Sequence, residues 1–233
     1  MGYLGSNGVG RSKASDHSDS VDLLWDPIDI GLVSDLAHPG GNVTGVTGIG
    51  SIEIFAKRLQ LLTELVPSLS HVAVLVSTEQ QGSSGPKDAL ARAAKSLGLE
   101  LREFQVKVPS DLDAAMRSAK DWGAQGLYTF PGGLTFSFPK QIADAANGYH
   151  LATVGSHSEI ASAGGLLAYA VDLKEMARRG AWYVDKILRG TPTGDLPFEQ
   201  ASKYQLFINV GTARTLGLTV PPNLIAIANK VIE

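Results

Sequence analysis

From Val21 onward, short β-branched runs alternate with amphipathic stretches, the pattern of βα units built around a mostly parallel sheet. In residues 55–66, Leu59, Leu62, Leu65 and Val66 fall at helical spacing while Lys57, Arg58 and Glu64 lie elsewhere, which predicts an amphipathic helix. Pro67 ends it. Residues 71–76, HVAVLV, are a near-continuous apolar run, as expected of a parallel strand buried on both faces. The polar STEQQGSSGP that follows is the loop at that strand's carboxyl end.

The same grammar repeats. A helix over 87–97 closes on Gly98 and leads to a strand over 101–108. Ser110 is positioned to cap a helix running to Trp122, with Asp111 and Asp113 in the first turn, and residues 126–130 form the next strand. A helix over 138–148, a strand over 151–154 and an extended run over 165–170 continue the series. Asp172 opens a helix to Leu188, a Gly/Pro-rich connection covers 190–197, residues 203–210 alternate as a last strand, and a short helix lies around 212–216. Upstream, Asp29 or Asp35 starts a short helical segment that Pro39 stops. Gly40-Gly41 supply the turn, and Val43 and Val46 begin an extended run. Residues 1–20 are Gly/Ser-rich without apolar periodicity and read as a flexible lead-in.

The 233 residues suffice for one large domain or two lobes of roughly 100 residues each, either with a full core. Apolar content of 44% and charged content of 18% describe an ordinary globular chain. A net charge of −3 with scattered basic residues gives no footprint for nucleic acid or an anionic membrane surface. With no cysteine, disulfides and thiolate chemistry are absent. No run approaches the roughly 18 apolar residues of a membrane span, and the chain as written is expected to carry no export signal.

Local motifs mostly fail their context tests. Gly5 to Ser12 has the spacing of a phosphate loop with arginine for lysine, yet neither the strand nor the helix that such a loop joins is predicted beside it. Asn42-Val43-Thr44 matches a glycosylation acceptor only on sequence. Ser156-His157-Ser158-Glu159 groups catalytic residue types side by side, whereas triads converge from separate segments. The histidines show no helical i, i+4 pair, and Asp26, Asp29 and Asp35 are spaced too loosely for a calcium loop, so neither a metal nor another cofactor is expected. What stands out is the chemistry at the carboxyl ends of the predicted strands: Ser77-Thr78, Pro131-Gly132-Gly133-Leu134-Thr135 and Gly155-Ser156. Open α/β sheets bind ligands outside those ends, and hydroxyls with bare amides suit holding a polar small molecule.

Three blocks carry a family resemblance: DPIDIGLVSDLAHPGGNVTGVTG, AKRLQLLTELVPSLSHVAVLV, and the stretch from EIASAGGLLAYAVDLKEMARRG to the end. They resemble consecutive blocks of ABC-transporter substrate-binding proteins of the tryptophan/phenylalanine-binding type, over about residues 26–233. The resemblance implies an α/β, periplasmic-binding-protein-like (type I) fold of two Rossmann-like lobes that close on a small solute, an aromatic amino acid or similar. It also implies an ABC permease as partner and a periplasmic or membrane-anchored extracellular location. On this scheme residues 52–171 are the second lobe, and 21–51 with 172–233 are hinge and a truncated first lobe. The missing strands would leave an exposed edge that favours self-association.

Within that reading Asp26 stands near the cleft, and Ser77, Thr78, Thr135 and Ser156 offer hydroxyls to the solute. Pro131 and Gly132 shape the cleft, and Tyr169 stacks on a planar ligand near the hinge. Two turns depart from the family: Pro131-Gly132-Gly133, where an acidic residue more often follows the proline, and Ser77-Thr78, where an asparagine is usual. The competing readings are an enzyme using Ser156, His157 or Glu159, and a ligand-sensing regulatory module. The latter would call for a basic helix-turn-helix segment before Val21, which is not seen.

Overall fold

The computed structural model describes residues 19–23, 27–28, 31–48, 52–78 and 84–233. In chain order the first half comprises β1 (Asp19–Leu23), β2 (Val43–Thr47), α1 (Glu53–Leu65), β3 (His71–Ser77), α2 (Ser84–Ser96), β4 (Glu100–Val106), α3 (Leu112–Asp121) and β5 (Gly126–Thr129). It continues with α4 (Gly133–Ser137), α5 (Pro139–Gly148), β6 (Ala152–Gly155), α6 (Ser158–Ser162), β7 (Leu167–Val171) and α7 (Leu173–Leu188). The last elements are β8 (Glu199–Gln200), β9 (Tyr204–Asn209), α8 (Val210–Thr215), α9 (Pro222–Ile227) and β10 (Lys230–Ile232). No helix among the described residues is long and apolar enough to cross a membrane.

The chain divides into two compact units, 1–49 with 173–201 and 50–172 with 202–233. In the first, β1, β2 and β8 form a parallel sheet in that order. Buried Thr44 of β2 donates its hydroxyl to Leu196 O at 2.7 Å, and buried Tyr183 of α7 donates to Pro197 O at 2.5 Å. Arg179 of α7 forks onto the Glu199 carboxylate. Gly40, at φ 66°, brings its backbone against Gly194, where an added Cβ would meet Gly40 C at 3.0 Å. The close approach explains a glycine at 194 that no turn rule demands.

The second unit is built on a seven-stranded sheet in the order β10-β9-β7-β6-β5-β3-β4. All neighbours are parallel except β7 and β9. β3 alternates its core: Ala73 and Leu75 join Met116, Leu127, Ile142 and Leu151 in one buried cluster beneath α3 and α5. The helix α1 buries Phe55, Leu59, Leu62 and Leu65. Burying each such side chain contributes about 2 kcal/mol, which is what fixes an amphipathic helix on a sheet. Strand order reverses beside β3, which lies between β4 and β5, so the topological switch point falls between the carboxyl ends of β3 and β5.

Several expectations change. Residues 202–233, expected with the first lobe and hinge, instead extend the sheet of the second unit, because β9 pairs antiparallel with β7 over Leu167–Val171 and β10 adds beyond it. No helix forms at Asp35; its carboxylate accepts from Ala37 N at 2.9 Å and meets His38 Nδ1 at 3.3 Å, satisfying the turn locally. The entry to α3 is held by Asp111, which accepts from Lys107 N and Val108 N, rather than by Ser110. Strand β1 starts two residues inside the expected lead-in, and the glycine-rich Gly5 to Ser12 lies outside the described residues. The polar runs after β5 and β6 condense into α4 and α6.

Candidate functional site

The carboxyl edge of the second unit's parallel strands collects three loop starts. After β3 come buried Ser77 and exposed Thr78, whose N–H donates to Val106 O at 3.0 Å. After β5 come Phe130, Pro131 and Gly132, all buried. After β6 come Ser156 and His157, 3% and 5% exposed. This is where glycine is required by contact: a Cβ on Gly155 would stand 2.6 Å from Ile160 Cβ, since Ile160 of α6 folds back onto the strand end.

One helical residue reaches into this edge. Arg58 sits in α1 and is only 4% exposed. Its Nε donates to Tyr169 O at 2.7 Å and one terminal nitrogen, Nη2, donates to Ser156 O at 3.3 Å. The guanidinium also lies over the Phe55 ring at 5.6 Å, and Phe55 in turn packs on Phe130 with centroids 5.4 Å apart. The other terminal nitrogen, Nη1, has no partner. Neither have Ser156 Oγ and His157 Nε2, although Ser156 N donates to Thr129 Oγ1 at 3.4 Å. Of the four buried side-chain polar atoms without a hydrogen bond among the described residues, three belong to this cluster. Each such atom left unpaired costs about 1–3 kcal/mol, so their concentration at one place singles out this edge as the candidate site.

The electrostatics follow from burial. His157 is held neutral, its pKa pushed down to about 4 by desolvation first and by the Arg58 charge second. Arg58 carries its charge without a carboxylate in salt-bridge range among the described residues. Phe136 of α4, partly exposed, meets the His157 ring edge to face at 5.1 Å and 86°. The site therefore offers one cation, one hydroxyl, one neutral imidazole and an aromatic rim. Among the described residues no group of histidines and carboxylates could hold a metal ion.

The residues predicted from sequence are distributed unevenly over this geometry. Ser77, Pro131, Gly132 and Ser156 lie at the edge. Thr135 spends its hydroxyl on Phe130 O at 3.0 Å and Gly132 O at 2.9 Å, which ties the loop. The Tyr169 ring stacks on Tyr204 at 5.6 Å. Asp26 lies outside the described residues. Arg58, His157 and Phe136 are not among the solute-binding residues that the sequence suggests. For Arg58 a signal existed: at about 100° per residue it falls between Leu62 and Leu65 on the buried face, not off the stripe as assumed. A separate groove of about 670 Å³ between α1 and α2, lined by Ala56, Gln60, Ala89 and Ala93, uses the opposite face of α1 and contains none of the unpartnered atoms.

Residues 23–232 match the family model of the ABC transporter substrate binding proteins. A tyrosine-binding protein of Clostridioides difficile (strain R20291) is 26% identical over 195 residues, which are 84% of this chain and 55% of that protein. The chain thus spans about half the length of this curated relative. Two crystal structures share the fold. One is the ABC domain from Streptococcus pneumonia in complex with L-Trp, with TM-score 0.82, 22% identity, and 91% of this chain and 71% of that one covered. The other is a conserved domain protein from Vibrio cholerae, with TM-score 0.80, 24% identity, and 88% and 68% covered.

Proposed function

The chain belongs to the ABC transporter substrate-binding protein family, and on that premise we propose that it holds an aromatic amino acid or a similar small solute for an ABC importer. Family membership brings binding without chemical conversion, a small-molecule ligand and a transporter partner. The observation that carries the finer reading is the buried, unpartnered set of Arg58 Nη1, Ser156 Oγ and His157 Nε2 at the carboxyl edge, beside the aromatic rings of Phe136 and Phe130. Partnerless donors and acceptors at a strand edge complete their hydrogen bonds with a polar head group, and the rings accept an apolar body. Ser77, Thr78, Pro131 and Gly132 line the same edge, Thr135 ties the loop after β5, and Tyr169 is assigned to its periphery.

The aromatic preference draws on two similar proteins, one called tyrosine-binding and one crystallised with L-Trp. An extracellular or periplasmic location goes with the transport role. Calorimetric titration with tyrosine, tryptophan, phenylalanine, leucine, glutamate and a sugar tests the proposal. Saturable one-to-one binding of at least one aromatic amino acid, with leucine and the sugar silent, is expected. Binding of leucine or the sugar alone would remove the aromatic assignment, and silence from every solute would remove the receptor role.

A further inference from the structure

We infer that the solute must present an anionic oxygen group, a carboxylate in the case of an amino acid, and that Arg58 Nη1 together with the Ser156 hydroxyl receives it. The inference rests on the solute-binding reading and deepens it. Its ground is a charge imbalance. Arg58 is 4% exposed, guanidinium groups stay protonated at every relevant pH, and no carboxylate among the described residues lies in salt-bridge range. Two backbone carbonyls and the Phe55 face accept part of the charge and the buried Tyr128 hydroxyl lies near the guanidinium, but the terminal nitrogen Nη1 makes no hydrogen bond. A buried cation lacking a counter-ion is strongly destabilising until an anion reaches it.

The neighbours narrow the chemistry. Arg58 donates to the Ser156 carbonyl at 3.3 Å, so the free Ser156 hydroxyl belongs to the residue that the guanidinium already grips. His157, adjacent in sequence, is neutral and adds no second positive charge. One fixed cation with one hydroxyl matches a single carboxylate, which guanidinium binds with short, charge-assisted bonds. A phosphate would call for more donors than these side chains leave free.

The test compares tyrosine, tryptophan and phenylalanine with their carboxamides, which keep shape and amine but lack the negative charge. In the wild-type chain the free acids should bind about 100-fold more tightly than the amides, the loss typical of an unmatched buried charge. Arg58→Met should reduce that ratio to about threefold. Ser156→Ala leaves the fold's hydrogen bonds intact and should weaken only the acids, by about tenfold, so it decides the matter where Arg58→Met does not fold. Equal binding of acids and amides by the wild type overturns the inference while leaving the solute-binding reading in place. If none of the six binds, the aromatic reading fails, and thermal unfolding in acetate and benzoate decides the anion question. A midpoint rise that Ser156→Ala or Arg58→Met removes supports it, and no rise with either anion overturns it.

Discussion

Arg58 Nη2 donates to the Ser156 carbonyl at 3.3 Å, while the hydroxyl of the same serine, buried beside it, has no partner. Backbone and side chain of Ser156 therefore do different work. The carbonyl holds the arginine in place, and the hydroxyl is kept in reserve. Ser156→Ala removes an unsatisfied buried group and leaves the carbonyl bond, so urea unfolding should show a change of less than about 1 kcal/mol, or a small gain. A loss above about 2 kcal/mol would mean that the hydroxyl is structural.

His157 gives the fold a pH dependence whose sign is fixed. Its folded pKa, about 4, lies below the ordinary imidazole value of 6.5, chiefly through burial and then through the Arg58 charge. The neutral ring is the form the fold accepts, so its stabilisation is complete above pH 6.5 and is lost as pH falls from there towards 4. The loss amounts to about 3 kcal/mol at its limit. Urea midpoints measured from pH 7.5 to 4 should fall, and His157→Asn should flatten the part of the curve between pH 6.5 and 5. An unchanged slope in the variant would place the pH dependence elsewhere.

Gly155 is fixed by Ile160, whose Cβ lies 2.6 Å from where a Gly155 Cβ would stand. Gly155→Ala should cost about 2 kcal/mol by forcing α6 away from the end of β6. Thermal unfolding checks the stability, and the displaced Ser156 and His157 should weaken solute binding at the same time.

Thr135 separates holding the loop from holding the solute. Its hydroxyl already faces Phe130 O and Gly132 O, so Thr135→Ser should keep both stability and affinity, while Thr135→Val should lower stability by about 1–2 kcal/mol. If Thr135→Val leaves unfolding unchanged but abolishes binding, the hydroxyl contacts the solute directly.

The alternation of the chain made most of the second unit legible. The strand at 71–77 and the helices after it follow from apolar periodicity and from Pro67 and Gly98, which act locally. Pairing partners are not local: nothing within 204–209 says that this strand lies antiparallel to β7 rather than in the first unit. The short helices α4 and α6 were hidden because five residues carry too little periodicity to register. At the candidate site the hydroxyl and glycine positions were readable as polar loop residues at strand ends. Arg58 is not legible because its charge sets it apart from the apolar stripe of leucines, and its burial depends on carbonyls at 156 and 169 that arrive from about 100 residues away. Whether a hydroxyl such as that of Thr135 is free or spent depends on such contacts and cannot be read from its type.

The most direct test follows the amide and side-chain resonances of the isotopically labelled chain while tyrosine, tryptophan and phenylalanine are titrated in turn. Saturable shifts are expected for at least one of them, concentrated on the Arg58 guanidinium, Ser156, the His157 ring and Phe136, and absent with leucine. Saturable shifts confined to the groove between α1 and α2, or no shifts with any aromatic amino acid, would contradict the proposal.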